Sequence, residues 1–131
     1  MNPQAISLVR QSFSQVAPDA EAVASLFYER LFSMDPKLRS LFKSDMAGQG
    51  RMLMAAISFA VENLARPDAI VPALQDMGKR HAGYGVKDED YDTVGGALLW
   101  TLEQGLGDDF TDECKQAWIE AYTLLASVMK G

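Results

Sequence analysis

The sequence predicts an all-α fold, and three observations carry that expectation. Apolar residues recur at three- and four-residue spacing along nearly the whole chain. No stretch alternates apolar and polar residues as a half-buried strand would. Turn and capping signals separate one periodic segment from the next. The 131 residues show no linker, internal repeat or low-complexity tract, so residues 1–131 read as a single domain with one core.

Each element has its own signature. Ile6, Val9, Phe13 and Val16 mark a first helix that stops before Pro18. Asp19 opens a second, whose stripe of Val23, Leu26, Phe27, Leu31 and Phe32 runs to the Asp35-Pro36 turn signal. Pro36 suits the first turn of a short helix holding Leu38, Leu41 and Phe42. The stretch KSDMAGQG reads as a turn, and a long helix over 47–65 leads to Arg66-Pro67. From Pro67 the apolar positions are Ile70, Val71, Leu74 and Met77, followed by His81 and the glycine-rich AGYG. The acids at 88–90 give a negative first turn to a helix that contains the pair Gly95 and Gly96. Asp108 or Thr111 caps a last helix with Cys114, Trp118, Tyr122, Leu125 and Met129 at helical spacing. About seven helices result, two of them short.

Charge and composition narrow the function. The formal net charge of −6 repels phosphate backbones and anionic lipid, which argues against nucleic-acid and membrane partners. No apolar run approaches the ~20 residues of a membrane span. The N-terminus MNPQAISLVRQSF lacks the basic start and apolar core of a signal peptide. Cys114 is the single cysteine, so no disulfide can form within the chain, and a reducing cytoplasm is the expected setting.

His81 is the single histidine. Leu74, Met77 and His81 stand at i, i+3 and i+7, which places the imidazole at the end of an apolar stripe. It either satisfies a hydrogen bond in the core or ligates something held against that face. No serine or cysteine motif beside it suggests a general base, and one His with one Cys is too few for zinc. A metal that brings its own equatorial ligands needs only one protein donor, and haem is such a group. A flat macrocycle needs apolar helix faces on both sides. Gln49, Leu53, Ile57 and Ala60 share one face of the helix over 47–65, polar at the mouth and apolar below. The small Ala55, Ala56 and Ala60 would allow close approach of the cofactor and of other helices. Tyr28 adds a phenol to a leucine-rich stripe, and Phe42 is a candidate wedge. Each also has a plain structural role open to it: Tyr28 as a core tyrosine bonded to a backbone carbonyl, Phe42 as core, Gln49 in solvent. Met52 and Met54 lie near the same face and are candidates for a sixth ligand, as are Tyr28, Gln49 or water. Lys79 and Arg80 could meet haem propionates or stand in water.

Several fragments, in their order and spacing across essentially the whole chain, carry a family resemblance. They are LFYERLF with Tyr28, DPKLRSLF with Pro36 and Phe42, Gln49 four residues before Leu53, KRH with His81, DYDTVGGALL with Tyr91 and AWIEAY with Trp118. The chain resembles the globins, and most closely the globin domains of flavohaemoglobins and bacterial single-domain relatives. The resemblance implies the globin fold, haem b bound through His81, and a distal pocket of Tyr28, Gln49 and Leu53. It also implies a haem lining that includes Phe42, Ile57, Met77, Val86, Tyr91 and Val94. In those relatives a tyrosine and a late glutamate polarise the proximal histidine. Tyr91 matches the tyrosine, and the glutamate position falls just past Gly131. No flavin- or nicotinamide-binding module follows in this sequence.

The resemblance implies a globin that reversibly binds O2, and NO and CO with it, retaining O2 through Tyr28 and Gln49 as a monomer or weak homodimer. Slow release favours scavenging or redox chemistry over bulk oxygen transport. Nitric oxide dioxygenation with a separate flavin reductase is the alternative. A sensory or interaction module is the third class.

Overall fold

A computed structural model describes residues 1–42 and 45–131. Six α-helices follow one another: α1 (Pro3–Val16), α2 (Ala20–Met34), α3 (Met46–Glu62), α4 (Pro67–Gly83), α5 (Asp88–Leu106) and α6 (Asp112–Lys130). Among the described residues there is no strand. The expected short helix at Pro36 is a tight 3-10 segment, Pro36–Leu41, and two further 3-10 turns, Ala17–Asp19 and Gly107–Asp109, join α1 to α2 and α5 to α6. The expectation of about seven helices thus becomes six α-helices with three 3-10 connectors. The turn expected at 43–50 lies partly outside the described residues, at Lys43 and Ser44, and from Met46 onward that stretch is already helical.

Short polar side chains set the helix starts, because the first backbone N–H groups of a helix have no partner within it. Asn2 accepts from the Ala5 N–H at 2.8 Å, Asp45 from Gly48 at 2.7 Å and Thr111 from Cys114 at 3.2 Å. The last of these decides for Thr111 over Asp108 as the cap of α6. The Asp90 carboxylate folds back onto the Lys87 N–H at 2.9 Å at the acidic start of α5. Helix α3 stops at Glu62, three residues sooner than its apolar pattern suggests. Here Asn63 donates to the Phe59 carbonyl at 2.8 Å, and Arg10 of α1 reaches the Glu62 carbonyl at 2.9 Å. A side chain from another helix thus takes over carbonyls that a further turn of helix would have used.

The core has two parts. The larger joins α1, α3, α5 and α6 through Val9, Phe13, Val61, Leu102 and Trp118. Inside it the Trp118 indole N–H donates to Ser12 Oγ at 2.8 Å, and Ser12 donates in turn to the Leu8 carbonyl at 2.7 Å. Cys114 is buried there, as expected. The smaller part joins α2, the 3-10 segment and α5 through Phe27, Tyr28, Leu31, Leu38 and Ala97. Leu53 and Leu98 touch both. Among the described residues no helix is long and apolar enough to cross a membrane.

Glycine permits the closest helix crossing. A Cβ at Gly78 would collide with the backbone carbonyl of Met129, so α4 lies on α6 with no side chain between them. Ile70, Leu74 and Gly78 form the buried face of α4 at this contact. Elsewhere α1 packs on α6, and α2 on both α3 and α5, whereas α3 and α4 are not a closely packed pair. Gly78→Ala is expected to cost about 1–3 kcal/mol or more, since backbone cannot rotate aside as a side chain can. Urea unfolding of the variant beside wild type measures that loss.

Candidate functional site

Helices α3 and α4 are connected in sequence without packing closely on each other. At one end the residues between Glu62 and Pro67 join them, with the Arg66 N–H donating to the Asn63 carbonyl at 2.9 Å. At the other end, the turn after α4 comes back to the 3-10 segment. Gly85 there has φ +100, a left-handed conformation open to glycine, and a Cβ at that position would lie 3.6 Å from Leu41 Cδ2. Helix α5 runs beneath, with Val94 and Leu98 packed against the smaller core.

Apolar residues on this frame are left half-covered. Phe42, Leu53, Ile57, Met77, Val86 and Val94 are all half-buried, neither sealed in the core nor out in solvent. Such a set is the lining that a further apolar body would complete. The core itself has no room for one: its internal cavity behind Leu53 and Ile57 has a volume of about 10 Å³.

On the α2–α3 side, Tyr28 is 8 % exposed and ringed by aromatics. Its ring stacks on Phe32 with centroids 5.9 Å apart and meets Phe42 edge-on at 5.3 Å. The hydroxyl donates to the backbone carbonyl of Gln49 at 3.3 Å, a long bond. A close crossing sets this geometry, since a Cβ at Gly50 would stand 3.0 Å from Ala24, one turn before Tyr28. Burial pushes the Tyr28 phenol up to about 12. The structure therefore gathers Tyr28, Phe42, Leu53 and Val94 around one apolar cluster, with the backbone of Gln49 at its edge. Ile57 belongs with Leu53 on the side of the larger core.

On the α4 side, His81 is half-buried, and its Nδ1 is 2.7 Å from the Met77 carbonyl. A carbonyl can only accept, so Nδ1 carries the proton in this bond and Nε2 keeps its lone pair for another partner. The Val86 N–H donates to the His81 carbonyl at 3.0 Å, which anchors the following turn to the end of the helix. The stripe read from the sequence is divided: Leu74 turns into the contact with α6, while Met77 and His81 stay half-covered. Lys79 and Arg80 are exposed.

Other expectations are corrected. Met54 is buried in the larger core beside Leu53 and Ile57, and Met52 is 66 % exposed. Ala55 is exposed rather than set against the cleft. Tyr91 is buried. It is held by Tyr122, whose hydroxyl donates to the Tyr91 carbonyl at 2.6 Å, and by Lys130, whose Nζ lies 5.7 Å from the Tyr91 ring centre. Tyr122 escaped notice in the sequence because it sits on an ordinary apolar stripe. The available signal was the phenol itself, which needs a partner when buried, and Gly95, which leaves room for the ring 2.8 Å from its Cβ position. Burial, with Tyr91 and Asp92 adding to it, raises the Tyr122 phenol strongly.

The described residues offer no group of three or more His, Cys, Asp or Glu side chains able to hold a metal ion. Among the described residues, a half-buried histidine and half-buried apolar side chains on α3, α4 and α5 stand in an all-α frame. The chain belongs to the globin family, whose model matches residues 25–129. It is similar to a flavohemoprotein of Rhizobium meliloti, 32 % identical over 127 residues that cover 95 % of this chain and 32 % of the relative. A flavohemoprotein of Halalkalibacterium halodurans is 34 % identical over 124 residues, 92 % of this chain and 30 % of that one. The chain thus spans about a third of the length of these relatives. Among solved structures, an engineered carbene transferase from Rhodothermus marinus, assigned as a nitric oxide dioxygenase, superposes with a TM-score of 0.87 at 30 % identity. That match covers 98 % of this chain and 90 % of the other.

The raised phenols carry a pH signature. An unfolded tyrosine loses its proton near 10.0, whereas folded Tyr28 holds it to about 12. Stability is therefore full below pH 10.0 and falls as pH rises toward the folded value. Urea midpoints measured across that range are expected to drop steadily, and to drop less in Tyr28→Phe than in wild type.

Proposed function

We propose that this chain binds haem b in the cleft between α3 and α4, with Nε2 of His81 as its donor to the iron, and thereby binds O2 together with NO and CO. The observation that carries this reading is the Met77 carbonyl at 2.7 Å from His81 Nδ1. It fixes the tautomer and leaves one nitrogen free beside a half-covered apolar lining. The residues fit the group: a single free imidazole nitrogen is all that haem asks of a protein, and the lining is apolar on both flanking helices. When bound, haem supplies reversible coordination of diatomic gases and one-electron chemistry.

The chain's own residues supply the rest. Phe42, Leu53, Ile57, Met77, Val86 and Val94 exclude water from the macrocycle faces. Tyr91, pinned through its backbone by Tyr122, supports α5 beneath. Tyr28 and Gln49 are the candidate donors to a captured gas. The Tyr28 proton points at the Gln49 carbonyl in this structure, so serving a ligand means turning the hydroxyl away from an existing 3.3 Å bond. Part of the stabilisation is offset by that exchange.

A second reading is nitric oxide dioxygenation, favoured by the similarity to the Rhodothermus marinus protein. Electrons would come from a separate flavin reductase in the cytoplasm. Sustained NO consumption with such a reductase present is the result expected of an enzyme, and one stoichiometric burst that of a binder.

His81→Ala is expected to lose haem while its far-ultraviolet circular dichroism stays close to that of wild type, with added imidazole restoring a haem spectrum. An unchanged ferrous-CO spectrum without imidazole would remove His81 as the ligand. For Tyr28→Phe, a hydrogen bond to a charged acceptor is worth ~1.5–3 kcal/mol, or roughly 10- to 150-fold in affinity. Because that hydroxyl already has a partner, O2 release is expected to quicken by about tenfold, the lower end, with CO release changing far less. Stopped-flow displacement of both gases from wild type and variant measures the difference.

A further inference from the structure

Arg39 is an exposed residue of the 3-10 segment Pro36–Leu41. Its guanidinium lies over the Phe32 ring, with Cζ 5.4 Å from the ring centre, and its Nη1 donates to Met46 Sδ at 3.5 Å. Either contact alone is ordinary and weak. Their joint position sets them apart. Phe32 follows Tyr28 by one turn of α2 and stacks on it, and Met46 precedes Gln49 by one turn of α3. Arg39 thus joins α2 to α3 one turn beyond the hydrogen bond from Tyr28 to the Gln49 carbonyl. On the other side of that bond, one turn earlier in α2, Ala24 meets Gly50. The three contacts form a ladder in which residue numbers rise along α2 and fall along α3: Ala24 with Gly50, Tyr28 with Gln49, and Phe32 with Met46 through Arg39.

What fills the space between the helices grows along this ladder. Only the Ala24 methyl stands at Gly50, the whole Tyr28 side chain at Gln49, and the side chains of Phe32, Arg39 and Met46 beyond. The helices therefore diverge, and the Tyr28 bond between the two outer contacts is already long at 3.3 Å. We infer that Arg39 holds the diverging ends together, keeps the Tyr28 hydroxyl on the Gln49 carbonyl, and so acts as a positioning residue for gas retention. This rests on the reading that Tyr28 donates to a captured gas. A hydroxyl has one proton to give. While the Gln49 carbonyl holds it, a bound gas must win it away, so Arg39 lowers the hold on O2. CO carries little charge when bound, gains little from the donor, and is indifferent to Arg39. The planar guanidinium suits both contacts, with its plane over a ring and an N–H aimed at the sulfur. A lysine ammonium is a point charge on a flexible stem and cannot be held to both.

Truncating Arg39 has an outcome opposite to that of damage to the site. In Arg39→Met the helix ends part and the phenol is released. O2 release from the haem-loaded chain is then expected to slow by about threefold, with CO release unchanged. General loosening would quicken both. Met46→Leu removes the sulfur while keeping an apolar side chain and is expected to do the same. The double variant is expected to do no more than either single, since one bridge can be lost only once. Arg39→Lys is expected to follow Arg39→Met. A second measurement on the full chain needs no haem. The tyrosine doublet in the ultraviolet Raman spectrum reports whether a phenol donates, and the difference from Tyr28→Phe isolates the Tyr28 signal. Wild type is expected to show a donating phenol, and Arg39→Met one released from its acceptor. Faster release of both gases, additive effects in the double variant, wild-type behaviour of Arg39→Lys, or a Tyr28 signal unchanged by Arg39→Met would each overturn the role of Arg39. A wild-type chain that takes up no haem overturns the haem reading instead, and the Raman signal alone then decides whether Arg39 holds the phenol.

Discussion

The contact of Gly78 with the Met129 carbonyl decides where α4 lies, and the cleft depends on it. With no side chain between them, α4 settles against α6 through Ile70, Leu74 and Gly78. That leaves α3 to pack on α1 and α2. The two helices that would otherwise close on each other are held by different neighbours. Leu53 and Ile57 on one and Met77 and His81 on the other remain half-covered. A cleft in a small helical protein is costly, because apolar surface left open forfeits about 25 cal/mol for each Å² not buried. A bound apolar ligand recovers that energy, which is how cofactor binding and fold stability become linked.

Two hydrogen bonds to backbone carbonyls prepare the two sides. The Met77 carbonyl takes the Nδ1 proton of His81 and so presents the other nitrogen. The Gln49 carbonyl takes the Tyr28 proton and so holds the phenol at the edge of the aromatic cluster. The first bond is short and lies within one helix, so it is available as soon as α4 forms. The second is long and joins α2 to α3 across the Ala24–Gly50 crossing, so it depends on packing and is the easier to exchange. The His81 side is thus fixed and the Tyr28 side adjustable.

Periodicity alone made the helices legible. Spacing of apolar residues located all six, and the acids at 88–90 and Thr111 marked starts that the structure keeps. Apolar period could not locate the end of α3, because the reason for it is Arg10, far away in sequence, binding the Glu62 carbonyl. Nor could it separate a short α-helix from the 3-10 segment at Pro36–Leu41, since one turn of either satisfies the same pattern. Within the site, His81 stood out as the single imidazole. Tyr28 and Phe42 stood out through the ordered resemblance, and the structure brings both to one cluster.

What the sequence determined by itself was local: which segments are helical, which face of each is apolar, and which nitrogen-bearing side chain ends a stripe. These follow from side-chain direction along a helix, which needs no knowledge of neighbours. Tertiary structure decided what each face meets. It sent Met54 inward and Met52 outward, put Ala55 on the surface, and gave the Tyr91 carbonyl to Tyr122. Adjacent residues on a helix point about 100° apart, so one turn can supply both core and solvent face. Which of them is buried depends on where the other helices cross, and here glycines at positions 50, 78 and 95 set those crossings by letting backbone or ring come closer than any side chain would allow.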